Sequence, residues 1–140
     1  MILFMQILRA SEDYLETMLM MQQQHGYIRS IDVAEHLGVT KPSVTYATKR
    51  LRENGYIAVD GEGNLTLLEP GREIAERIYS RHRLLTHFFM QLGVDEKTAA
   101  EDACKAEHIL SEQTLEKIRE YALLHDAQDS VKSVSYTHLR

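Results

Sequence analysis

Long apolar runs are missing from this 140-residue chain, and so is any framework of cysteines. The one cysteine, Cys104, excludes an internal disulfide scaffold and suits a reducing cytosol, so a cytoplasmic protein is expected. The opening stretch 1–8 is apolar but has no basic flank before it. It makes a poor signal peptide and is far too short to span a bilayer. There is no glycine-rich phosphate loop, no Ser/His/Asp arrangement, and little chain to spare for a separate substrate pocket, which weighs against an enzyme. Internal repeats and low-complexity segments are absent as well. Positive charge is in short supply: the net charge is −5, which on its face argues against nucleic acid.

What is present is ordinary in bulk and uneven in detail. Hydrophobic residues make up 44% and charged residues 26%, the proportions of a globular protein with one or two small domains. Residues 40–55 nevertheless carry a net charge of +3, from Lys41, Lys49, Arg50 and Arg52 against Glu53. Residues 95–129 hold ten acids and four bases, a net of −6. One part can face phosphate while the other collects cations, although ordinary surface charge gives the same numbers.

The periodicity predicts a first helix over residues 10–24, capped by Ser11, with Tyr14, Leu15, Met18 and Leu19 as its apolar stripe. A second runs from Ser30, as its cap, to Leu37 and stops at Gly38. A third starts at Thr40 with Pro42 in its first turn, and ends at Asn54-Gly55. The period then changes. Residues 56–59 and 65–68 are strand-like around the turn-rich 60–64, a β-hairpin closed by Pro70-Gly71. Helix resumes near Arg72 and runs to Leu92. Another opens at Asp95 and continues to about Leu110, and a last one follows the Ser111 cap with Leu115, Ile118, Tyr121 and Ala122 inward. Tyr27, Tyr56 and the methionines near 18–21 are expected in the core. His87 lies off the face of His82 and is expected to pack or face solvent.

Helix, short helix, turn, helix and hairpin is the order of a winged helix-turn-helix, and Gly38-Val39-Thr40 has the length of the turn. The expected fold is mainly α: a winged helix-turn-helix over 1–71, an all-helical domain over 72–129, and a disordered tail over 130–140. The third helix would enter the major groove with its N-terminal residues nearest the bases. Thr40, Lys41, Pro42, Ser43, Thr45 and Tyr46 lie there, with Lys49 and Arg52 placed for phosphates. A trihelical unit of this kind can also pack on a partner protein, and the Ser/Thr/Lys-rich helix start favours double-stranded DNA.

Cys104, Glu107 and His108 stand at i, i+3 and i+4 in a stretch without Pro or Gly, so they share one helical face. A thiol, a carboxylate and an imidazole together form a donor set for a divalent transition metal. The bland alternative is a solvated Glu and His beside a small buried Cys. Three ligands seldom close a coordination sphere. Asp13 and Glu16, at i, i+3 on the first helix, and His82 are the candidates to complete it. On the residues alone two rivals stay open: a metal-independent winged-helix regulator, with a structural metal or none, and a small metallohydrolase.

The sequence also resembles the diphtheria-toxin-repressor family of metal-dependent transcriptional repressors, over nearly all of residues 10–124. The motifs that carry the likeness are Ser-Glu-Asp-Tyr-Leu at 11–15, the turn and Ser43-Val44-Thr45, Arg81-His82-Arg83-Leu84-Leu85, and Ala103-Cys104-Lys105-Ala106-Glu107-His108. Each is weak singly; four in order around a winged helix are specific. The resemblance implies a homodimer joined by C-terminal helices, and metal ligands at Asp13, Glu16, His82, Cys104, Glu107 and His108. Asp13 and Glu16 follow the short manganese-type members, whereas Cys104 follows the iron type. Ala100 and Thr86 replace the His and Glu of the iron-type second site. The expected corepressor is Mn²⁺, with Fe²⁺ close behind and Zn²⁺ or Co²⁺ as in-vitro occupants; the expected targets are metal-homeostasis genes.

Overall fold

The computed structural model describes residues 2–139, with side chains from 9 to 128. The chain divides into two compact units, Met1–Tyr79 and Ser80–Arg140. In the first, α1 (Ile2–His25), β1 (Ile28–Arg29), α2 (Ser30–Leu37), α3 (Lys41–Glu53), β2 (Ile57–Val59) and β3 (Asn64–Leu67) follow in order, and α4 (Glu69–Gln91) begins. The second holds the rest of α4, α5 (Glu96–Ala106) and α6 (Glu112–Leu139). The fold is therefore mainly helical, with a winged helix-turn-helix ahead of a helical unit. Among the described residues, no helix is long and apolar enough to cross a membrane.

The first unit closes on one core. Leu15, Met18, Ile28, Val33, Val44 and Ile57 are each at most 2% exposed, and burying a side chain of that size contributes about 1.5–3 kcal/mol. The hairpin pairs Ile57 with Leu67 and Val59 with Leu65, which puts its apolar residues on the inner face. A third strand, β1, adds Ile28 opposite Leu65. Two residues are too short to show a period, so β1 leaves no mark in the sequence pattern.

Helix ends depart from expectation for local reasons. Ser11 lies inside α1, because nothing in residues 2–10 breaks a helix and the element starts at Ile2. Ser30 is the first residue of α2 rather than its cap; Arg29 stands at the cap with no side-chain bond. Gly38 ends α2 in the left-handed conformation (φ 67°), as its position suggests. Pro70 and Gly71 do not close the hairpin outside a helix: they form the first turn of α4. There the missing proline N–H is harmless. Gly71 is required, because a Cβ would run into the Tyr56 carbonyl oxygen. Tyr56 is half-buried on the core, but Tyr27 is 45% exposed, stacked on His25 and in cation–π reach of the Arg29 guanidinium. Met18 and Met21 are core residues, as expected.

In the second unit Leu85, Ala103 and Leu115 form the buried centre, with Phe89, Leu110 and Ile118 packed around it. Asp95 caps α5 by accepting from Thr98 N (3.0 Å), and Ser111 caps α6 by accepting from Thr114 N (3.1 Å). Ala122 is buried, but Tyr121 is 53% exposed. α5 stops at Ala106, four residues earlier than expected, and a turn over 107–109 follows. The frayed tail expected over 130–140 falls outside the residues whose side chains are described, and α6 is bounded at Leu139.

Candidate functional site

Glu107 is the C-cap of α5, and its carboxylate is completely buried. Stripping water from a lone carboxylate costs several kcal/mol, so a folded chain keeps positive or proton-donating groups against it. Two imidazoles meet it. His82 Nδ1, from α4, lies 2.9 Å from Glu107 Oε2. His108 Nε2, from the turn, lies 3.4 Å from Oε1, with its side chain only 2% exposed. Cys104, one turn back on α5, is exposed and offers Sγ within 4.8 Å of a Glu107 oxygen.

The second unit thus brings together His82, Cys104 and His108 around Glu107. The expected helical spacing holds through Glu107, whose backbone is still helical (φ −59°, ψ −24°), while His108 reaches the cluster from a turn. Asp13 and Glu16 belong to the first unit, three residues apart on α1, half-buried and buried respectively. His87 is not part of the cluster: it pairs with Asp126 at 2.9 Å. A carboxylate, two imidazoles and a thiol fit a divalent first-row transition metal, and differ from the all-oxygen sets that suit Ca²⁺ or Mg²⁺.

The DNA-reading candidates share α3 and its cap. Thr40, Lys41, Pro42, Ser43, Thr45, Tyr46, Lys49 and Arg52 are all exposed, while Val44, Thr48 and Leu51 face the core. Thr40 also orders the helix start: its hydroxyl accepts from Ser43 N (3.3 Å) and lies 2.9 Å from Ser43 Oγ. A groove of about 290 Å³ runs from Thr45, Lys49 and Arg52 to Ser30 on one side and Gly63 of the hairpin on the other. The hairpin tip is stiffened by Asp60, which accepts from Glu62 N and Asn64 N, each at 2.9 Å. Those two backbone donors, Asn64 first, hold its carboxyl below the usual carboxylate range.

Two surface residues stand outside the DNA contacts expected from the sequence. Arg50 is exposed, with its guanidinium 5.7 Å from the Tyr46 ring centroid, inside cation–π range. It belongs to the basic stretch 40–55 and lies between Lys49 and Arg52. Ser30, assigned to capping, instead lines the groove beside Lys49 and Arg52.

A winged helix followed by a helical unit with a carboxylate–imidazole–thiol cluster defines a DNA-binding regulator equipped for a metal. Comparison with known proteins agrees over most of the chain. Residues 6–65 match the family model described as iron dependent repressor, N-terminal DNA binding domain, and residues 68–124 match its metal binding and dimerisation domain. A helix-turn-helix transcriptional regulator of Methanocaldococcus jannaschii is 37% identical over 110 residues, 77% of this chain and 88% of that protein. The transcriptional regulator MntR of Bacillus subtilis is 33% identical over 121 residues, 86% of this chain and 85% of that protein. The solved structure of the manganese regulator SloR superposes with a TM-score of 0.69 at 26% identity, covering 79% of this chain and 52% of that one. The chain spans about half the length of that longer structure. The chain belongs to the iron-dependent repressor family, the diphtheria-toxin-repressor group of metal-dependent transcriptional repressors.

Proposed function

We propose that this protein is a cytoplasmic repressor of metal-homeostasis genes that binds operator DNA as a homodimer when Mn²⁺, or next in preference Fe²⁺, is available. The observation that carries the reading is the buried Glu107 carboxylate flanked by His82 and His108 in the unit that follows an exposed recognition helix. The proposed ligands are Asp13, Glu16, His82, Cys104, Glu107 and His108. The proposed DNA contacts are Thr40, Lys41, Pro42, Ser43, Thr45, Tyr46, Lys49 and Arg52. The C-terminal helices are the proposed dimer contact.

When bound, the ion supplies the positive charge that lets several carboxylates share one place. Without it, the proposed ligands Asp13, Glu16 and Glu107 would repel one another, and α1 would be free to shift. Ligation by Asp13 and Glu16 together with residues of the second unit would hold α1, and with it α3, in one setting. Two α3 helices of a dimer then match successive major grooves, about 34–36 Å apart. Moving a two-state population from 1:99 to 99:1 needs about 5.5 kcal/mol of preference for the closed state. Folding itself has its own apolar cores in each unit.

The test is operator binding by the purified protein in chelator, in Mn²⁺ and in Fe²⁺. Binding is expected only with metal. Equal affinity in all three conditions rejects the corepressor role.

A further inference from the structure

Arg81 stands beside His82 on α4, and it is only 15% exposed. Its guanidinium reaches in two directions. Nη1 donates to the backbone carbonyl of Glu107 at 3.2 Å, and Nη2 pairs with the carboxylate of Glu112. The last carbonyls of a helix have no partner within it, and α5 has ended at Ala106. The Glu107 carbonyl is such an orphan, at the negative end of the α5 dipole, where a cation is favoured. Glu112 is in the first turn of α6. A single planar fork therefore spans the end of one helix and the start of the next, which a lysine's single ammonium does less well.

The segment so held carries Glu107 and His108. Glu107 is fixed at three points: its N–H donates to Ala103 O at 2.9 Å, its carbonyl is taken by Arg81, and its carboxylate meets His82. Neighbouring residues of α4 thus grip the main chain and the side chain of the same residue. We propose that Arg81 is a positioning residue for the metal centre: by holding the Glu107 carbonyl it sets the turn that aims Glu107 and His108. This inference rests on the reading of the cluster as a metal site, and its test separates the two.

Mn²⁺ is titrated calorimetrically into the full chain and into Arg81→Met, Arg81→Lys and Glu112→Gln, with helical content and melting followed in parallel. Arg81→Met is expected to bind Mn²⁺ about 10- to 100-fold more weakly, the usual effect of removing an outer partner of a ligand. Arg81→Lys, which keeps one donor group, should fall between it and wild type. Glu112→Gln, which spares the bond to the carbonyl, should stay within about twofold of wild type, well below that range. A bare structural staple would lower the melting temperature and leave affinity alone. Wild-type affinity in a folded Arg81→Met protein overturns the proposal. Should that variant lose helix, wild-type affinity in Arg81→Lys does so instead. A loss in Glu112→Gln as large as that in Arg81→Met overturns the assignment to the carbonyl. A wild-type chain that takes up no Mn²⁺ sinks the metal reading itself.

Discussion

His82 and Glu107, 25 residues apart in sequence, meet side chain to side chain at 2.9 Å, with the carboxylate shut off from solvent. His108 closes on the other carboxylate oxygen. A site of this kind is specified by few atoms and supported by many: the apolar packing of Leu85, Ala103 and Leu115 orders the helices around these side chains. Ligand loss should therefore remove the response before it removes the fold. In Glu107→Ala and in His108→Ala, operator affinity in Mn²⁺ is expected to drop to the level seen in chelator. Far-UV circular dichroism should stay near wild type. Retained Mn²⁺-dependent binding in both variants contradicts the proposed role of this pair.

The cap of the recognition helix has a structural duty separable from any contact with DNA. Thr40 accepts from Ser43 N, a donor that α3 cannot satisfy internally. Thr40→Ala should cost about 1 kcal/mol in urea denaturation. Thr40→Ser keeps the hydroxyl and should restore most of it. A Thr40→Ala midpoint equal to wild type shows that the cap bond contributes nothing.

Gly71 marks the closest approach of α4 to the hairpin. A methyl group there meets the Tyr56 carbonyl first, and that oxygen already accepts from Leu68 N at 3.0 Å, so the backbone has little freedom to yield. Gly71→Ala should destabilise the first unit by about 1–3 kcal/mol, the cost of overpacking a tight contact. The same exchange at exposed Gly61, where nothing stands within 4 Å, should have little effect. Chemical denaturation of the two variants side by side decides it, and equal midpoints refute the steric argument.

The fold was largely legible because its periodicities are local. Tyr14, Leu15, Met18 and Leu19 mark the buried face of α1, and Val44 and Leu51 that of α3. What sequence could not show were effects set by distant chain. Gly71 reads as a loop residue until Tyr56 is seen against it. Arg81 reads as a surface charge until the α5 carbonyl appears beside it. For the site, i, i+3, i+4 spacing groups Cys104, Glu107 and His108 on one helical face, whereas the helix ends at Ala106 and His108 reaches Glu107 from a turn. Tyr27 failed for a different reason: it stands in the bend just before a two-residue strand, where no repeat says which way a side chain faces.

Asp60 makes the hairpin tip sensitive to acid. Backbone N–H groups of Asn64 and Glu62 lower its folded pKa below the ordinary value. A carboxyl depressed in the folded state adds stability above the unfolded pKa and loses it as pH falls through the folded one. The contribution should be full near neutrality and fade below about pH 4. Asp60→Asn should be less stable than wild type at pH 7, and the gap should narrow as the pH is lowered towards 3. Denaturation midpoints of the pair at several pH values test this; a gap independent of pH excludes the titration of Asp60 as its source.

Lys49 and Arg52 are exposed and line the groove between α3 and the hairpin. Charges placed this way should meet phosphates, and a phosphate contact shows itself in salt rather than in sequence preference. Each of Lys49→Ala and Arg52→Ala should weaken Mn²⁺-dependent binding to operator and to unrelated duplex alike. Each should also reduce the slope of log affinity against log salt by about 1. Tyr46→Ala, at a position 65% exposed on the same helix, should instead reduce the preference for operator over unrelated duplex and leave the slope nearly unchanged. Fluorescence anisotropy across a salt series separates the two behaviours. An unchanged slope in both basic variants would remove Lys49 and Arg52 from the interface, and with them the docking of this groove against the DNA backbone.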